Sequence, residues 1–195
     1  MAGDNPLVSE SDLILGSIRG DRRMQELLYK TYSPKMYGVC LRYAGNPDDA
    51  QDILQEGFVK VFQHLANFKK EGSFEGWVRR IMVNTALEKH RKKNIMYPVA
   101  ELYPVSKNMK TEDIESNISA QELMGLIQKL SPGYRTVFNL YAIEGYSHQE
   151  IADQLGISEG TSKSQLARAR NVLQEEVIKL YQLSKKKELV KENGK

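Results

Sequence analysis

Cysteine is almost absent from this chain: of 195 residues, only Cys40 carries a thiol. A single cysteine excludes a disulfide framework within the chain. Its neighbours Val39 and Leu41 point to a buried structural thiol in a reducing compartment. Histidine is nearly as scarce, and His64, His90 and His148 share no Cys/His ligand spacing, so no metal site is expected. Long apolar runs are missing too. Nothing approaches the roughly 18 apolar residues that a spanning helix needs, and the first residues show no basic stretch followed by an apolar core. The expectation is a soluble, cytoplasmic protein with no direct membrane insertion. There is no Gly-rich phosphate loop and no nucleophile beside an ordered base, so neither an enzyme nor a cofactor is expected.

A strong net charge is lacking as well, since 28 Lys and Arg against 25 Asp and Glu leave only +3. The basic total therefore says little about nucleic acid, but its distribution says more. Between Lys60 and Lys93, nine basic residues face three Glu. Such a local excess attracts a polyanion and makes binding salt-dependent. Between Glu101 and Glu122, five acids face only Lys107 and Lys110, a segment that repels phosphate.

Alternating strand patterns and internal repeats are absent, and helical periods fill most of the chain. After a short tail at 1–9, residues 10–93 read as helical with breaks at Gly45-Asn46-Pro47 and Lys69 to Ser73. Residues 94–117 lose the period and carry Pro98, Pro104, Ser106, Asn108, Ser116 and Asn117, as a linker does. Residues 118–183 are helical again, and the basic stretch 184–195 is expected to fray. The fold class that follows is all-α, with two small helical domains joined by an irregular linker.

The most specific local pattern is Ser147 to Leu173. Ser147 and Glu150 make a capping box that opens a short helix with Ile151 and Leu155 on its apolar side and Ala152 allowing close packing. Gly156 permits a left-handed turn. Ser158 can cap a second helix that buries Leu166 and Leu173 and leaves Lys163, Ser164, Ala167, Arg168 and Arg170 for solvent or phosphate. This is the spacing of a helix-turn-helix; a plain helical hairpin with a basic face is the alternative.

In the first domain, a helix from about Pro47 to Ala66 places Ala50, Ile53, Leu54, Phe58, Val61, Phe62 and Leu65 on one face. Asp49, Asp52, Glu56, Lys60 and Gln63 line the other, with Gln55 beside them. That row is either a solvated face or a docking stripe for a basic partner. A further helix from Phe74 to about Lys93 buries Phe74, Trp77, Val78, Ile81 and Met82. Opposite lie Arg80, Asn84, Glu88 and Arg91, leading into Lys89, Lys92 and Lys93. Helix-dipole complementation accounts for one or two of these cations; a phosphate backbone over the helix accounts for the rest, with Asn84 suited to a base edge. The intervening loop, Asn67 to Ser73, has a bend and an aromatic that can wall an unstacked base, or else Phe68 belongs to the core.

Asp48 to Phe58, Phe74 to Ile81 with Asn84 and Arg91, and Glu159 to Arg170 together resemble a bacterial RNA polymerase sigma factor of the sigma-70 family, in the compact extracytoplasmic-function group. The resemblance covers roughly residues 10–183, with several motifs in the right order. It implies a region 2-like helical bundle and a region 4-like helix-turn-helix. It also implies that Asp49, Asp52, Gln55, Glu56 and Lys60 dock on the clamp coiled coil of core RNA polymerase. Phe68, Lys69, Lys70, Arg80, Asn84, Arg91 and Lys92 would bind and melt the minus-ten element, capturing a non-template base. Lys163, Ser164, Ala167 and Arg168 would meet bases or nearby phosphates of the minus-thirty-five element, and Gly160, Thr161 and Arg170 its backbone. The polymerase flap is a further implied contact. The linker would thread toward the active-site cleft and RNA exit path, and a membrane-linked anti-sigma factor is the implied inhibitor.

Three positions depart from the family pattern. Ser162 replaces the usual Val, which should loosen the helix-turn-helix core by losing apolar area. Glu88 replaces Asp. Gly57 replaces Ala, Thr or Ser and lowers helix propensity by up to about 1 kcal/mol. The functional expectation is promoter recognition, melting and transcription initiation, without covalent chemistry. The alternative is an autonomous helix-turn-helix regulator, which needs no acidic stripe and no such linker.

Overall fold

The computed structural model describes residues 8–94 and 119–192, with side chains described for 8–91 and 119–182. The linker expected over 94–117 lies outside these residues, apart from Asn94 at a helix end. The chain divides into two compact units, Met1–Lys89 and His90–Lys195. The described residues form helices and turns only, and none of their helices is long and apolar enough to cross a membrane.

In the first unit, α1 (Glu10–Ile18) starts where the Ser9 side chain accepts from the Asp12 amide. α2 (Arg22–Tyr43) starts at Asp21, whose carboxylate accepts from the amides of Arg23 and Met24. Between them Gly20 takes a φ of +81°, a break that helical periodicity does not reveal. α3 (Pro47–His64) is capped by Asn46 and has Pro47 at its first turn, where the missing amide costs no hydrogen bond. A 3₁₀ turn, Leu65–Asn67, ends it and leads through the loop to α4 (Phe74–Asn94), whose residues as far as Lys89 belong to this unit.

The apolar face of α3 is as the period predicts, except that Phe62 is only half-buried. Ala50, Ile53, Leu54, Phe58, Val61 and Leu65 are buried together with Val78, Met82, Val83, Ala86 and Leu87 of α4 and Leu28, Met36, Val39 and Cys40 of α2. Gly57 has a packing reason that propensity alone hides: a Cβ there would stand 2.3 Å from Met82 Sδ. The residue lets α3 and α4 come close, so its cost in helix propensity is offset by contact between the helices.

In the second unit, α5 (Ala120–Lys129) opens with a Ser119–Glu122 capping box, and α6 (Pro132–Phe138) continues into a π turn, Asn139–Ile143. α7 (His148–Leu155) carries the expected Ser147–Glu150 box and ends at Gly156, which is left-handed with φ +67°. α8 (Glu159–Glu192) follows. Leu126, Ile127, Leu130 and Tyr134 pack with Ala169 and Leu173 of α8. α8 runs as far as Glu192, into the stretch 184–195. From Thr161 to Glu192 there is no Gly or Pro, and Lys, Glu, Leu and Gln favour helix.

Candidate functional site

The acidic row of α3 is not a free solvated stripe. Asp52 and Gln55 are exposed, whereas Asp49, Glu56 and Lys60 are half-buried. Asp49 belongs to the start of the helix: its amide donates to Asn46 Oδ1 at 2.7 Å, and its carboxylate accepts from Asn46 Nδ2 at 3.2 Å. Lys60 Nζ sits 2.7 Å from Glu88 Oε2 of α4 and 3.3 Å from Glu56 Oε1. Burial opposes the charge on Lys60, but hydrogen bonds to Glu88 and Glu56 outweigh it and raise its pKa above the usual value.

Lys89 of α4, which the sequence groups with the phosphate-binding cations, lies 3.5 Å from Asp52 and 3.9 Å from Glu56. These two carboxylates of α3 partly offset its charge. Glu88 and Lys89 thus brace α4 to the row on α3. One more residue joins this surface: Val59, one turn beyond Gln55, is 55% exposed. It gives an otherwise charged patch an apolar point, at the position where the helical period puts it.

On α4, Arg80, Asn84 and Arg91 are exposed along one side. Lys92 falls outside the residues whose side chains are described. Ser73 caps the helix, its hydroxyl accepting from the Gly76 amide at 3.1 Å. In the preceding loop, Lys69 and Lys70 are exposed, and Lys70 adopts a φ of +59°, uncommon for a residue with a side chain. Phe68 packs its ring 5.2 Å from Phe74 and 5.6 Å from Trp77 while remaining partly accessible. It is part of an aromatic cluster that also borders the loop.

On α8, Ser162, Leu166, Ala169 and Leu173 are buried, and Gly160, Lys163, Ser164, Ala167 and Arg170 are exposed on the opposite side. Thr161, half-buried, donates its amide to Ser158 Oγ at 3.0 Å and so completes the helix start. Lys163 pairs with Glu159 at 2.7 Å, and the hydrogen bond to Lys163 holds the Glu159 carboxyl below its ordinary pKa.

Arg168 departs from expectation. It stands at the edge of the exposed face, is half-buried, and has an enclosed Nε without a hydrogen-bond partner among the described residues. Ser162 also departs, because its hydroxyl does not merely loosen the core. It is fully buried, and its Oγ lies 2.9 Å from His148 Nδ1. Among the described residues no group of His, Cys, Asp or Glu is arranged to hold a metal ion.

Comparison with known proteins places both units. Sigma-70 region 2 matches residues 28–95, and Sigma-70, region 4, matches residues 120–173. The RNA polymerase sigma-H factor of Pseudomonas aeruginosa is 31% identical over 80% of this chain and 86% of its own length. The ECF RNA polymerase sigma factor SigE of Mycolicibacterium smegmatis is 32% identical over 78% of this chain, which spans 61% of that relative. The ECF RNA polymerase sigma-E factor of Haemophilus influenzae is 29% identical over 82% of this chain and 90% of its own length.

Among solved structures, the sigma factor RpoE of Bartonella quintana, in complex with the anti-sigma factor NepR, is similar with a TM-score of 0.48 and 22% identity over 79% of this chain and 96% of that one. Two matched regions in this order do not favour a free-standing helix-turn-helix regulator. The chain belongs to the sigma-70 family, in its extracytoplasmic-function group, and is a sigma factor that acts in transcription initiation.

Proposed function

We propose that residues 10–93 dock on core RNA polymerase and bind the minus-ten element, that residues 118–183 read the minus-thirty-five element, and that 94–117 links them. The observation that carries this reading is the face of α8, where Gly160, Lys163, Ser164 and Ala167 are exposed against buried Ser162, Leu166, Ala169 and Leu173. Small side chains let a helix backbone approach the floor of a major groove, and flanking cations meet the phosphates. Lys163, Ser164 and Ala167 face the bases. Arg168 contributes from the edge of that face, and Gly160, Thr161 and Arg170 grip the backbone.

In the first domain, Asp52, Gln55 and Glu56 meet a basic coiled coil of the polymerase, with Lys60 held behind them by Glu88 and Asp49 supporting the helix start. Arg80, Asn84, Arg91 and Lys92 follow the opened strand, and Lys69, Lys70 and Phe68 border the captured base. The work is done by binding: contacts to duplex and single strand offset the few kcal/mol of unstacking that a flipped base costs. No bond is made or broken by this chain, and no cofactor takes part. It acts in the cytoplasm, where polymerase and promoter are, and an anti-sigma factor covers its polymerase-binding surface in the resting cell.

Gel filtration with core polymerase tests the reading, followed by run-off transcription on genomic fragments. Co-elution and new start sites are expected. Separate elution, with initiation unchanged by the added chain, overturns it.

A further inference from the structure

Four side chains form a continuous contact path along one flank of the helix-turn-helix. Ser162 Oγ, fully buried on α8, lies 2.9 Å from His148 Nδ1 at the first residue of α7. The His148 ring stacks on Tyr141 of the π turn, with centroids 4.5 Å apart and planes 22° from parallel. The Arg170 guanidinium, two turns along α8 from Ser162, lies 5.7 Å from the centre of the same Tyr141 ring. The path therefore leaves α8 at a buried hydroxyl and returns to it at an exposed cation.

We infer that Ser162 is a positioning residue for promoter binding: through His148 and Tyr141 it sets the place of Arg170 at the edge of the recognition face. The inference rests on the proposed role of α8 in reading duplex DNA. An arginine side chain is long and rotamer-rich, and fixing it beforehand removes part of the ordering cost of gripping a phosphate. A cation within about 6 Å of a tyrosine centre is attracted to the ring face. The ring in turn has a defined orientation only while something holds the imidazole stacked on it. A hydrogen bond to one ring nitrogen restrains the tilt of a histidine ring. The buried hydroxyl of Ser162 supplies that bond, and the π turn places Tyr141 where the imidazole can lie flat against it. Ser162 itself is enclosed and touches no DNA; its effect passes entirely through the other three residues.

Threonine and valine are nearly equal in shape and differ at the hydroxyl, so Ser162→Thr and Ser162→Val separate the hydrogen bond from the filling of the site. The probe is a labelled duplex enriched from a randomised pool on holoenzyme reconstituted from this chain and core polymerase. Affinity is measured for the wild type, both variants, Arg170→Ala, and Ser162→Val combined with Arg170→Ala. Ser162→Thr is expected to bind within about twofold of the wild type, and Ser162→Val and Arg170→Ala each to bind several-fold more weakly. The combined variant is expected to be no weaker than Arg170→Ala alone, the non-additivity of residues acting as one unit.

Thermal midpoints of Ser162→Thr and Ser162→Val should both lie well above the assay temperature, so that lost folding does not mimic the effect. If Ser162→Val binds as tightly as Ser162→Thr while Arg170→Ala is weak, or if the two losses multiply, the positioning role is overturned and the reading of α8 stands. If Arg170→Ala binds like the wild type, the proposed grip of Arg170 on the backbone falls together with the positioning role.

Discussion

Lys60 on α3 and Glu88 on α4 form an ion pair of 2.7 Å, and the same ammonium reaches Glu56 one turn back on its own helix at 3.3 Å. Lys60 is the more enclosed partner, with 26% of its side chain exposed against 41% for Glu88. The position is therefore a brace between the row proposed to dock on polymerase and the helix proposed to follow DNA.

Replacing Lys60 by Met keeps the aliphatic stem and removes the charge, leaving Glu56 and Glu88 to repel each other. A loss of about 1 kcal/mol is expected, at the upper end for a partly exposed pair, which lowers the melting midpoint of a small domain by roughly 4–8 °C. Asp52→Lys should behave oppositely. Asp52 is 68% exposed and only loosely held by Lys89, so stability changes little while affinity for core polymerase falls by about tenfold or more. Titrating labelled variants with core polymerase, alongside thermal melts, checks both outcomes. A Lys60→Met variant that melts normally but loses polymerase would make Lys60 a direct contact.

Lys163 is exposed and pairs with Glu159, at 2.7 Å on its own helix. Exchanging that carboxylate for DNA costs little, since both groups already face water. Lys163→Ala is expected to weaken binding to a preferred duplex by about tenfold and to relax the preference at one base-pair position, with polymerase binding unchanged. Competition between sequence variants of the duplex measures this. An equal loss on every sequence would assign Lys163 to phosphate.

What the sequence makes legible here is what depends on near neighbours. Ser147 with Glu150, Gly156 and Ser158 are local signals, because a cap or a left-handed turn is decided within a few residues, and each sits where its spacing predicts. The apolar face of α3 is equally local, since the helical period alone sorts Ile53, Leu54, Phe58 and Val61 from Asp52 and Gln55.

Relationships between helices are another matter. The period says which side Lys89 occupies, but only the packing of α3 on α4 brings it to Asp52 and Glu56 and withdraws it from the phosphate row. The partner of Ser162 is fourteen residues away across a turn. The π turn over Asn139–Ile143 inserts a residue into a helical pattern without any Gly or Pro to mark it. The break at Gly20 does carry a local mark, since Asp21 directly follows it as a helix cap.

Acid should weaken the second unit through its capping boxes. The Glu150 carboxyl is held below its ordinary value of 4.5, first by the Ser147 backbone amide and then by the Ser147 hydroxyl, and Glu122 is held low in the same way by Ser119. A carboxyl whose folded pKa is depressed contributes stability that is fully present above the unfolded value and is lost as the pH falls through the folded one. The difference in melting midpoint between wild type and Glu150→Ala is therefore expected to be constant near neutral pH and to shrink as the pH drops below 4.5. Circular-dichroism melts over that range follow it; a difference that persists undiminished in strong acid would mean that the capping charge plays no part.

Gly57 offers a test in which one substitution changes sign with its surroundings. In an open helix, Gly→Ala stabilises by up to about 1 kcal/mol. Here the added Cβ would stand 2.3 Å from Met82 Sδ and 3.0 Å from Met82 Cε, and Met82 is itself fully buried. The thioether is flexible, but its surroundings are packed, and forcing extra volume into such a core typically costs 1–3 kcal/mol. Gly57→Ala in the wild-type background is thus expected to destabilise the first unit. Met82→Ala alone opens a cavity and costs about 2–5 kcal/mol. In that background the obstructing atoms are gone, so Gly57→Ala should stabilise, by its helix propensity and by partly filling the space. Urea midpoints for the four combinations complete the cycle. Stabilisation by Gly57→Ala in both backgrounds would remove close approach of α3 and α4 as the reason for glycine at this position.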